Sequence, residues 1–292
     1  MALVFLIGTG RCGSTLVHEI LARHEAFGFV SNIEDNVRHL NRLGRLNRRL
    51  YRSPLGWQTR KGRIRFAPSE AYAIIAREVS PIYANTCRDL TAADATPWLS
   101  ARFERFFRDR IQAQAVDCFL HKYTGWPRLG FFHAIFPEAR FVHIVRDGRA
   151  VANSWLQMPW WNGYRGPENW LWGALPSDLQ SQWEHEGRSF VALAGIAWKL
   201  LIDAAQETRA GLPESRFLEV RFEDFLAEPL RYTNAILSFI GVQPNAGFER
   251  SLSRYEFSSV RNRAFETDLA RPQVECLNRL IGDQLAAYGY PT

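Results

Sequence analysis

A glycine-rich turn near the start of the chain has the residue types and spacing that bind a phosphate or sulfate group. Gly8 is followed after four residues by Gly13, and the hydroxyl residues Ser14 and Thr15 come next. This spacing approaches the pattern G-x-x-x-x-G-K-[ST], in which backbone N–H groups of the turn surround the anion. Ser14 stands where that pattern has lysine, and Arg11 lies inside the turn. The turn therefore favours an anion shorter than a triphosphate, although an ordinary tight turn between a strand and a helix has the same glycines.

A second pair of residues could hold another anion. Arg146 directly follows the apolar run 141–145, and Ser154 comes eight residues later. If a helix begins after Arg146, both side chains lie on the same side of it, because eight residues make about two helical turns. Arg146 could then bind a phosphate with two parallel hydrogen bonds, and Ser154 could add one more. A helix capped by Asp147, with arginines on its surface, fits the same residues.

Both groups of residues lie where predicted strands end. Short apolar runs predict strands at residues 3–7, 119–122, 140–145 and 217–220. Amphipathic spacing and capping residues predict helices at residues 16–24, 97–115, 127–136, 177–208, 229–240 and 272–288. A further helix is predicted to begin after Ser69, which would be its N-cap. Residues 25–36 are predicted to form a loop. This alternation predicts one α/β domain over residues 1–292, with a single, mostly parallel, doubly wound sheet flanked by helices.

Composition excludes several classes of protein. The chain has 292 residues, of which 47% are hydrophobic, so it can bury a core and is not disordered. No apolar run approaches the length of a membrane span, and the N-terminus lacks the basic start and long apolar stretch of a signal peptide. The four cysteines have no metal-ligand spacing and are typical of reduced thiols in a cytoplasmic protein. Cys12 is predicted to be a small residue that fits the turn, not a catalytic thiol.

Two segments have unusual composition. The basic segment, residues 37–69, contains ten Lys or Arg and no Asp or Glu, although the net charge of the whole chain is only +6. It favours an anionic partner, or it forms one charged face of a helix; no nucleic-acid motif accompanies it, so no nucleic-acid partner is expected. The tryptophan-rich segment, residues 155–183, holds six of the ten tryptophans. Its rings either contact a flat ligand or pack together as a helical lid.

Four motifs together resemble the sulfotransferases that use 3′-phosphoadenosine 5′-phosphosulfate (PAPS) as sulfate donor, including bacterial, carbohydrate and protein-tyrosine members. Residues 10–16 resemble the family's P-loop-like 5′-phosphosulfate loop, and residues 141–154 resemble its 3′-phosphate motif. Residues 220–229 resemble its Tyr-Glu-Asp-Leu segment followed by Pro, and residues 121–124 resemble its Lys-Thr-Pro segment. The four motifs occur in the family's order and span roughly residues 3–240.

The resemblance implies a donor site and a reaction. Arg11 would neutralise charge on the transferred sulfuryl group, and Lys122 would lie near the same group. Arg146 and Ser154 would bind the 3′-phosphate, and Phe222, where the family usually has tyrosine, would lie near the adenine. The loop residues that would hold the 5′-phosphosulfate are Cys12, Gly13, Ser14, Thr15 and Leu16. The reaction would be an in-line displacement that needs no metal and releases adenosine 3′,5′-bisphosphate (PAP).

The general base has three candidates. Removing the proton of an attacking hydroxyl needs a histidine or a carboxylate within hydrogen-bond reach. Cytosolic sulfotransferases place a histidine two residues after the family lysine, where this chain has Thr124. Protein-tyrosine and carbohydrate members use a glutamate in the loop after the first helix. The resemblance therefore favours Glu34, followed by His121 and Asp35; Glu34 could instead be a solvated loop acid.

The sequence thus predicts a cytoplasmic enzyme that transfers the sulfuryl group of PAPS to a hydroxyl group of an acceptor. A sugar, a lipid, a phenol or a peptide tyrosine would fit, and the basic and tryptophan-rich segments are expected to shape the acceptor site. Two alternatives stay open. One is a P-loop kinase for a small molecule, which Ser14 in the lysine position disfavours. The other is a protein that binds a nucleotide or carbohydrate without catalysing a reaction.

Overall fold

A sheet of parallel strands forms the central layer of the molecule, whose computed structural model describes residues 2–37, 41–58, 65–84 and 86–292. Its strands are β1 (Ala2–Ile7), β2 (Phe27–Gly28), β3 (Cys118–Lys122), β4 (Arg140–Val145) and β5 (Phe217–Arg221). They lie in the order β2-β3-β1-β4-β5, and every neighbouring pair is parallel. β1 lies in the middle of the sheet and the later strands lie on both sides of it, which confirms the predicted doubly wound sheet.

Helices connect the strands. Between β1 and β3 they are α1 (Ser14–Leu21), α2 (Asn32–Asn36), α3 (Asn47–Arg52), α4 (Pro54–Gln58), α5 (Tyr72–Glu78) and α6 (Pro97–Gln114). Between β3 and β5 they are α7 (Leu129–Ile135), α8 (Gly148–Leu156), α9 (Ser177–His185) and α10 (Phe190–Arg209). After β5 they are α11 (Phe222–Ala227), α12 (Pro229–Ile240), α13 (Ala246–Leu252), α14 (Phe265–Asp268) and α15 (Arg271–Ala287). Among the described helices, none combines the length and hydropathy needed to span a lipid bilayer.

The side chains of β1 alternate between the two faces of the sheet, and both faces are buried. Phe5 and Ile7 belong to a core cluster that includes side chains of α6 and α7. Val4 and Leu6 belong to a second cluster on the other face, together with side chains of α1 and α12. A strand that is covered on both faces has no place for alternating polar residues, which explains its continuous apolar sequence.

Several element boundaries differ from the sequence predictions. The predicted loop at residues 25–36 contains β2 and α2. The single helix predicted at residues 177–208 is divided into α9 and α10, because Gly187 and Arg188 adopt positive φ angles of 65° and 57°. Ser69 does not cap α5, which begins after Ala71; its hydroxyl instead accepts the backbone N–H of Ala71. The first helix ends at Leu21, earlier than predicted.

The basic segment is not one continuous helix. A short 3₁₀ turn, Arg42–Gly44, precedes α3 and α4. Arg48 Nη1 donates to the carbonyl of Gln114 at 2.8 Å, and Arg52 Nη2 donates to the carbonyl of Phe27 at 2.9 Å. These two arginines therefore fix the chain around β2. Four other basic residues lie outside the described residues: Arg38, Arg60, Lys61 and Arg63.

Candidate active site

The ends of four strands converge on one cleft of about 870 Å³. Parallel strands have their C-terminal ends at the same edge of the sheet, so the residues that follow them meet there. The glycine turn follows β1, Lys122 ends β3, Arg146 follows β4 and Phe222 follows β5, and all four line the cleft. The register of the sheet pairs Leu6 with Lys122, which sets the lysine beside the turn.

The glycine turn presents backbone N–H groups that have no partner. Gly10, Arg11 and Gly13 have positive φ angles of 81°, 56° and 90°, a conformation that suits glycine. Within the described residues, the N–H groups from Arg11 to Thr15 donate to no carbonyl or side chain. They lie at the N-terminus of α1, where the helix dipole adds partial positive charge. This arrangement fits a phosphate or sulfate group.

Phe222 packs directly on this turn. A Cβ atom at Gly13 would lie 2.2 Å from Cε2 of Phe222, so no larger residue fits there while the ring is in place. The ring stacks on Phe225, and the Arg146 guanidinium lies 5.7 Å from its centroid. Phe222 therefore supplies an apolar surface between the two predicted anion sites. Cys12, predicted to be a small residue that fits the turn, is buried in the core cluster beneath it.

Arg11, Arg146 and Ser154 contact one another. Arg11 Nε donates to Ser154 Oγ at 2.9 Å, and Arg146 Nη1 donates to the carbonyl of Arg11 at 3.0 Å. Arg146 Nη2 donates to the carbonyl of Arg261 at 2.8 Å, whereas its Nε atom is buried without a partner in the described residues. Burial lowers the pKa of Arg146, which stays protonated because arginine titrates far above neutral pH. The two anion sites identified separately in the sequence are therefore adjacent.

Asp147 holds the start of α8, the helix that carries Ser154. Its carboxylate accepts the backbone N–H of Arg149 at 2.9 Å, and it forms an ion pair with the Arg149 guanidinium at 2.7 Å. Arg149 is buried, so it is not one of the surface arginines that the alternative interpretation expected. Asp147 is a helix cap, as that interpretation proposed, and Arg146 is directed to the glycine turn at the same time.

Lys122 joins the turn to a carboxylate that sequence reasoning missed. Its Nζ atom donates to Thr15 Oγ1 at 2.7 Å and forms an ion pair with Glu70 Oε1 at 2.5 Å. Thr124 Oγ1 donates to Glu70 Oε2 at 3.3 Å. The Lys122 side chain is 4% exposed and that of Glu70 is 27% exposed. In the described part of the cleft wall, Glu70 is the only carboxylate.

Glu34 does not reach the cleft. Its carboxylate forms a buried ion pair with Arg110 Nε at 2.7 Å and accepts Asn47 Nδ2–H at 2.8 Å. Burial raises the pKa of Glu34, and the nearby Arg110 partly offsets that rise. The expectation that Glu34 faces the transferred group is wrong, because α2 turns the side chain into the interior, where it connects α6 to α3.

The other two candidates for the base are also buried away from the cleft. His121 lies among aromatic rings, its Nε2 atom is 2.9 Å from Tyr83 Oη, and burial lowers its pKa to about 3. Asp35 accepts the backbone N–H of Ile74 at 2.8 Å and the hydroxyl of Ser69 at 2.7 Å, so it holds the start of α5. Neither side chain lines the cleft.

Aromatic side chains form much of the remaining cleft wall. They are Tyr72, Trp126, Trp160, Trp170 and Trp172. The ring centroids of Trp170 and Trp172 are 5.1 Å apart with almost perpendicular planes, and most tryptophans of this segment are buried. The tryptophan-rich segment thus packs on itself and also contributes three rings to the cleft. No described residue of the basic segment lines the cleft.

The described residues contain no group of three or more His, Cys, Asp or Glu side chains that could hold a metal ion. The cleft instead has cationic side chains, Arg11, Lys122 and Arg146, around the unpaired N–H groups of the turn. Fixed positive charge and free donors can bind an anion and can stabilise charge that develops on a group in transfer. This chemistry suits the transfer of a small anionic group.

Comparisons with known proteins identify the family. The sequence model of the sulfotransferase family matches residues 3–245. No curated protein matches the chain by sequence. Among solved structures, the sulfotransferase domain of the Synechococcus olefin synthase is similar, with 17% identity, a TM-score of 0.52 and coverage of 100% of this chain and 96% of that chain.

Two further solved structures have the same fold. A sulfotransferase from Mycobacterium avium shares 16% identity with a TM-score of 0.54, and the match covers 99% of this chain and 77% of that one. The sulfotransferase domain from the curacin biosynthetic pathway shares 13% identity with a TM-score of 0.52, and the match covers 99% of each chain. Since the family match includes the glycine turn, Lys122, Arg146 and Phe222, this chain belongs to the sulfotransferase family.

Proposed function

We propose that this sulfotransferase transfers the sulfuryl group of PAPS to a hydroxyl group of a small acceptor. The observation that carries the proposal is the convergence of the unpaired N–H groups of the glycine turn with Arg11, Lys122 and Arg146 in one cleft. PAPS has negative charge at its 5′-phosphosulfate and at its 3′-phosphate. A cleft with cations beside two adjacent anion sites suits such a donor.

The residues that line the cleft and those next to it suit the phosphosulfate, the 3′-phosphate and the adenine of PAPS. The N–H groups of the turn would hold the 5′-phosphosulfate at the N-terminus of α1. Arg146, whose Nε atom has no partner in the described residues, and Ser154 would hold the 3′-phosphate. Phe222 packs between these groups and would lie against the adenine. The hydrogen bond between Arg11 and Ser154 brings the two sites within reach of one ligand.

Arg11 and Lys122 would stabilise charge during the transfer. Bound PAPS supplies the sulfuryl group, and PAP is the leaving group. By analogy with phosphoryl transfer, the transition state is loose, so positioning and electrostatic stabilisation supply most of the rate enhancement. Lys122 is buried between Thr15 and Glu70, where its charge is poorly screened by water. Its rigid position favours a role at the transferred group.

Glu70 replaces the three buried candidates as the proposed general base. Its carboxylate is partly open to the cleft, and Lys122 and Thr124 fix its orientation. Thr124 occupies the position at which cytosolic sulfotransferases have a histidine. Glu70, which contacts Thr124 but comes from another part of the chain, would take the place of that histidine. There it would accept the proton of the attacking hydroxyl.

A binding and transfer experiment tests the donor assignment. We expect the protein to bind PAP about 10- to 100-fold more tightly than 5′-AMP, because a charge-assisted contact to the 3′-phosphate is lost in 5′-AMP. Arg146→Ala should remove most of this preference, and Arg271→Ala, at an exposed position of α15, should keep it. Calorimetry measures both affinities, and radiolabelled PAPS with a panel of hydroxyl acceptors measures transfer.

The same experiment separates the alternatives. Equal affinity for PAP and 5′-AMP in the unaltered protein would refute the donor assignment. Preferential binding of ATP with Mg²⁺ would favour a kinase. Tight PAP binding, with neither transfer nor slow hydrolysis of PAPS, would favour a nucleotide-binding protein that catalyses no reaction.

A further inference from the structure

Three side-chain atoms on the aromatic side of the cleft are buried without a hydrogen-bond partner in the described residues. They are Oγ1 of Thr86, Nε1 of Trp126 and Nε of Arg128. All three residues line the cleft. Native proteins pair almost all of their buried polar atoms, because leaving one unpaired is costly. Three such atoms in one cleft wall indicate a polar group of a ligand that would pair with them.

Contacts within the wall connect the segments that carry these three residues. Arg128 Nη1 donates to the carbonyl of Trp126 at 2.7 Å, and Nη2 donates to the carbonyl of Tyr83 at 3.0 Å. The backbone N–H of Arg128 donates to Asp89 Oδ1 at 2.8 Å. The segment that contains Thr86 is thus tied on both sides to the segment that contains Trp126 and Arg128.

The chemistry of the three atoms defines the group that would pair with them. The indole N–H and the guanidinium Nε–H can only donate hydrogen bonds, and the threonine hydroxyl can donate or accept. A group that satisfies them together must accept hydrogen bonds through oxygen. An N–H group of a ligand would leave Trp126 and Arg128 unpaired.

The charge of Arg128 favours a carboxylate over a neutral carbonyl. Its side chain is buried, and both of its terminal nitrogen atoms are bonded to backbone carbonyls. Among the described residues, no carboxylate lies within ion-pair distance of its guanidinium, and Asp89, which accepts its backbone N–H, is the carboxylate whose charge interacts with it. A second anion in direct contact with the guanidinium would stabilise this buried cation further. This cation lies in the same cleft as Lys122 and Glu70.

The aromatic part of the same cleft wall suits a flat ring. Trp170 and Trp172 are packed almost perpendicular to each other, and Tyr72 and the half-exposed Trp160 complete the aromatic surface. Aromatic side chains pack well against planar rings, in stacked or edge-to-face arrangements. A sugar would need hydrogen-bond partners around its whole ring, and these four residues offer mainly carbon.

We propose that the acceptor is an aromatic hydroxy acid, a phenol whose ring also carries a carboxylate. The ring lies against the tryptophans, the hydroxyl reaches Glu70, and the carboxylate binds Thr86, Trp126 and Arg128. The phenol oxygen forms a bond to sulfur as the bond from sulfur to the bridging oxygen of PAPS breaks. PAP leaves with that electron pair, and the phenol proton passes to Glu70. This assignment rests on the function proposed above and names its acceptor class.

A matched set of acceptors tests the proposal. The set contains para-hydroxybenzoate, para-hydroxyphenylacetate and para-hydroxyphenylpropanoate, which vary the distance to the carboxylate, and para-ethylphenol, which lacks it. We expect at least one acid to have a kcat/KM about tenfold or more above that of para-ethylphenol, because buried donors discriminate against a ligand that leaves them unpaired. Thr86→Val and Trp126→Phe should each lower this preference. Thr267→Val and Trp98→Phe, at exposed positions outside the cleft, should keep it.

Calorimetry of the PAP-loaded protein supplies a measurement that needs no turnover. Binding of the preferred acid, with weak binding of para-ethylphenol and loss of affinity in Thr86→Val, supports the proposal. Three results would overturn the proposed acceptor class and leave PAPS-dependent transfer intact. The protein could use the acids and para-ethylphenol equally well, both cleft variants could retain the preference for the acids, or transfer could occur to sugars alone. Failure to bind PAP would overturn the donor assignment as well.

Discussion

An ion pair between two residues far apart in the sequence lies beside the glycine turn in the cleft. Lys122 Nζ is 2.5 Å from Glu70 Oε1 and 2.7 Å from Thr15 Oγ1, so it links the carboxylate to the anion-binding turn. A lysine and a carboxylate in contact can have separate roles in a transfer reaction. In the proposed reaction, the lysine would stabilise negative charge on the transferred group, and the carboxylate would accept the proton of the nucleophile.

Glu70→Gln keeps the size of the side chain and removes the proton acceptor. We expect kcat to fall by about 10²- to 10⁴-fold, the usual contribution of a general base. The affinity for PAP should change by less than about twofold, because no proposed donor contact is lost. Steady-state transfer from radiolabelled PAPS gives kcat, and calorimetry gives the PAP affinity.

Glu34→Gln is the matched control for that substitution. The Glu34 carboxylate is buried against Arg110, outside the cleft, so the folded variant should keep most of its turnover. Its thermal unfolding is measured in parallel, so that any loss of folded protein can be separated from a loss of catalysis. Full activity in Glu70→Gln, together with lost turnover in a folded Glu34→Gln, would return the role of base to Glu34.

The sequence could predict which residues meet beside the glycine turn, but it did not point to Glu70. The glycine turn, Lys122 and Arg146 each lie at or just after the end of an apolar strand, so a parallel sheet brings them together, and Ser154 follows Arg146 in α8. Glu34 had a suitable position in the sequence, but its burial is set by Arg110 and Asn47, which are remote from it in the chain. Glu70 belongs to no local motif, and its pairing with Lys122 emerges only in the folded chain.

At the level of elements, the strands and long helices were predictable and the short elements were not. The strand at residues 140–145 and the helix at residues 229–240 have the predicted bounds. β2 has two residues and α2 has five, too few for a periodic pattern. Contacts with other parts of the chain form them: β2 pairs with β3, and Asn32 Nδ2 donates to the carbonyl of Ala67.

The segment after α15 braces the turn that carries Arg146. Tyr290 Oη donates to Glu223 Oε2 at 2.8 Å, and Glu223 Oε1 accepts the backbone N–H of Asp147 at 3.1 Å. The residue after Arg146 is therefore tied to α11 and, through Glu223, to Tyr290. Loss of this brace should loosen the 3′-phosphate site and leave the glycine turn in place.

Tyr290→Phe removes one hydroxyl from this brace. A neutral or charge-assisted hydrogen bond contributes about 1–2 kcal/mol, so PAP affinity should fall by about 5- to 30-fold, with a smaller effect on 5′-AMP. Tyr288→Phe is the matched control, because its hydroxyl donates to Glu219 at 3.0 Å and has no contact with the Arg146 turn. Titration calorimetry of both variants checks the expectation. The same PAP affinity in the two variants would show that the brace is only structural.

At the scale of the whole molecule, two buried histidines link stability to pH. Burial lowers the pKa of His121 from 6.5 to about 3, and it also lowers the pKa of His18. Below pH 6.5 the unfolded chain therefore binds protons that the folded chain does not. The free energy of unfolding should fall as the pH is lowered from about 6.5 toward 3, by about 1.4 kcal/mol per pH unit for His121, and His18 adds to the fall in the same direction.

His121→Phe removes the titrating group and places another ring among Phe5 and Phe107. The variant should lose some stability at neutral pH, because Tyr83 Oη loses its partner. Its unfolding free energy should nevertheless decline less steeply between about pH 6 and 4, by about 1.4 kcal/mol per pH unit. Urea unfolding at a series of pH values measures this slope, and His185→Gln, at an exposed position of α9, controls for removal of a histidine. An unchanged slope in His121→Phe would mean that His121 is protonated in the folded protein, which its burial among aromatic rings and its nearby cations argue against.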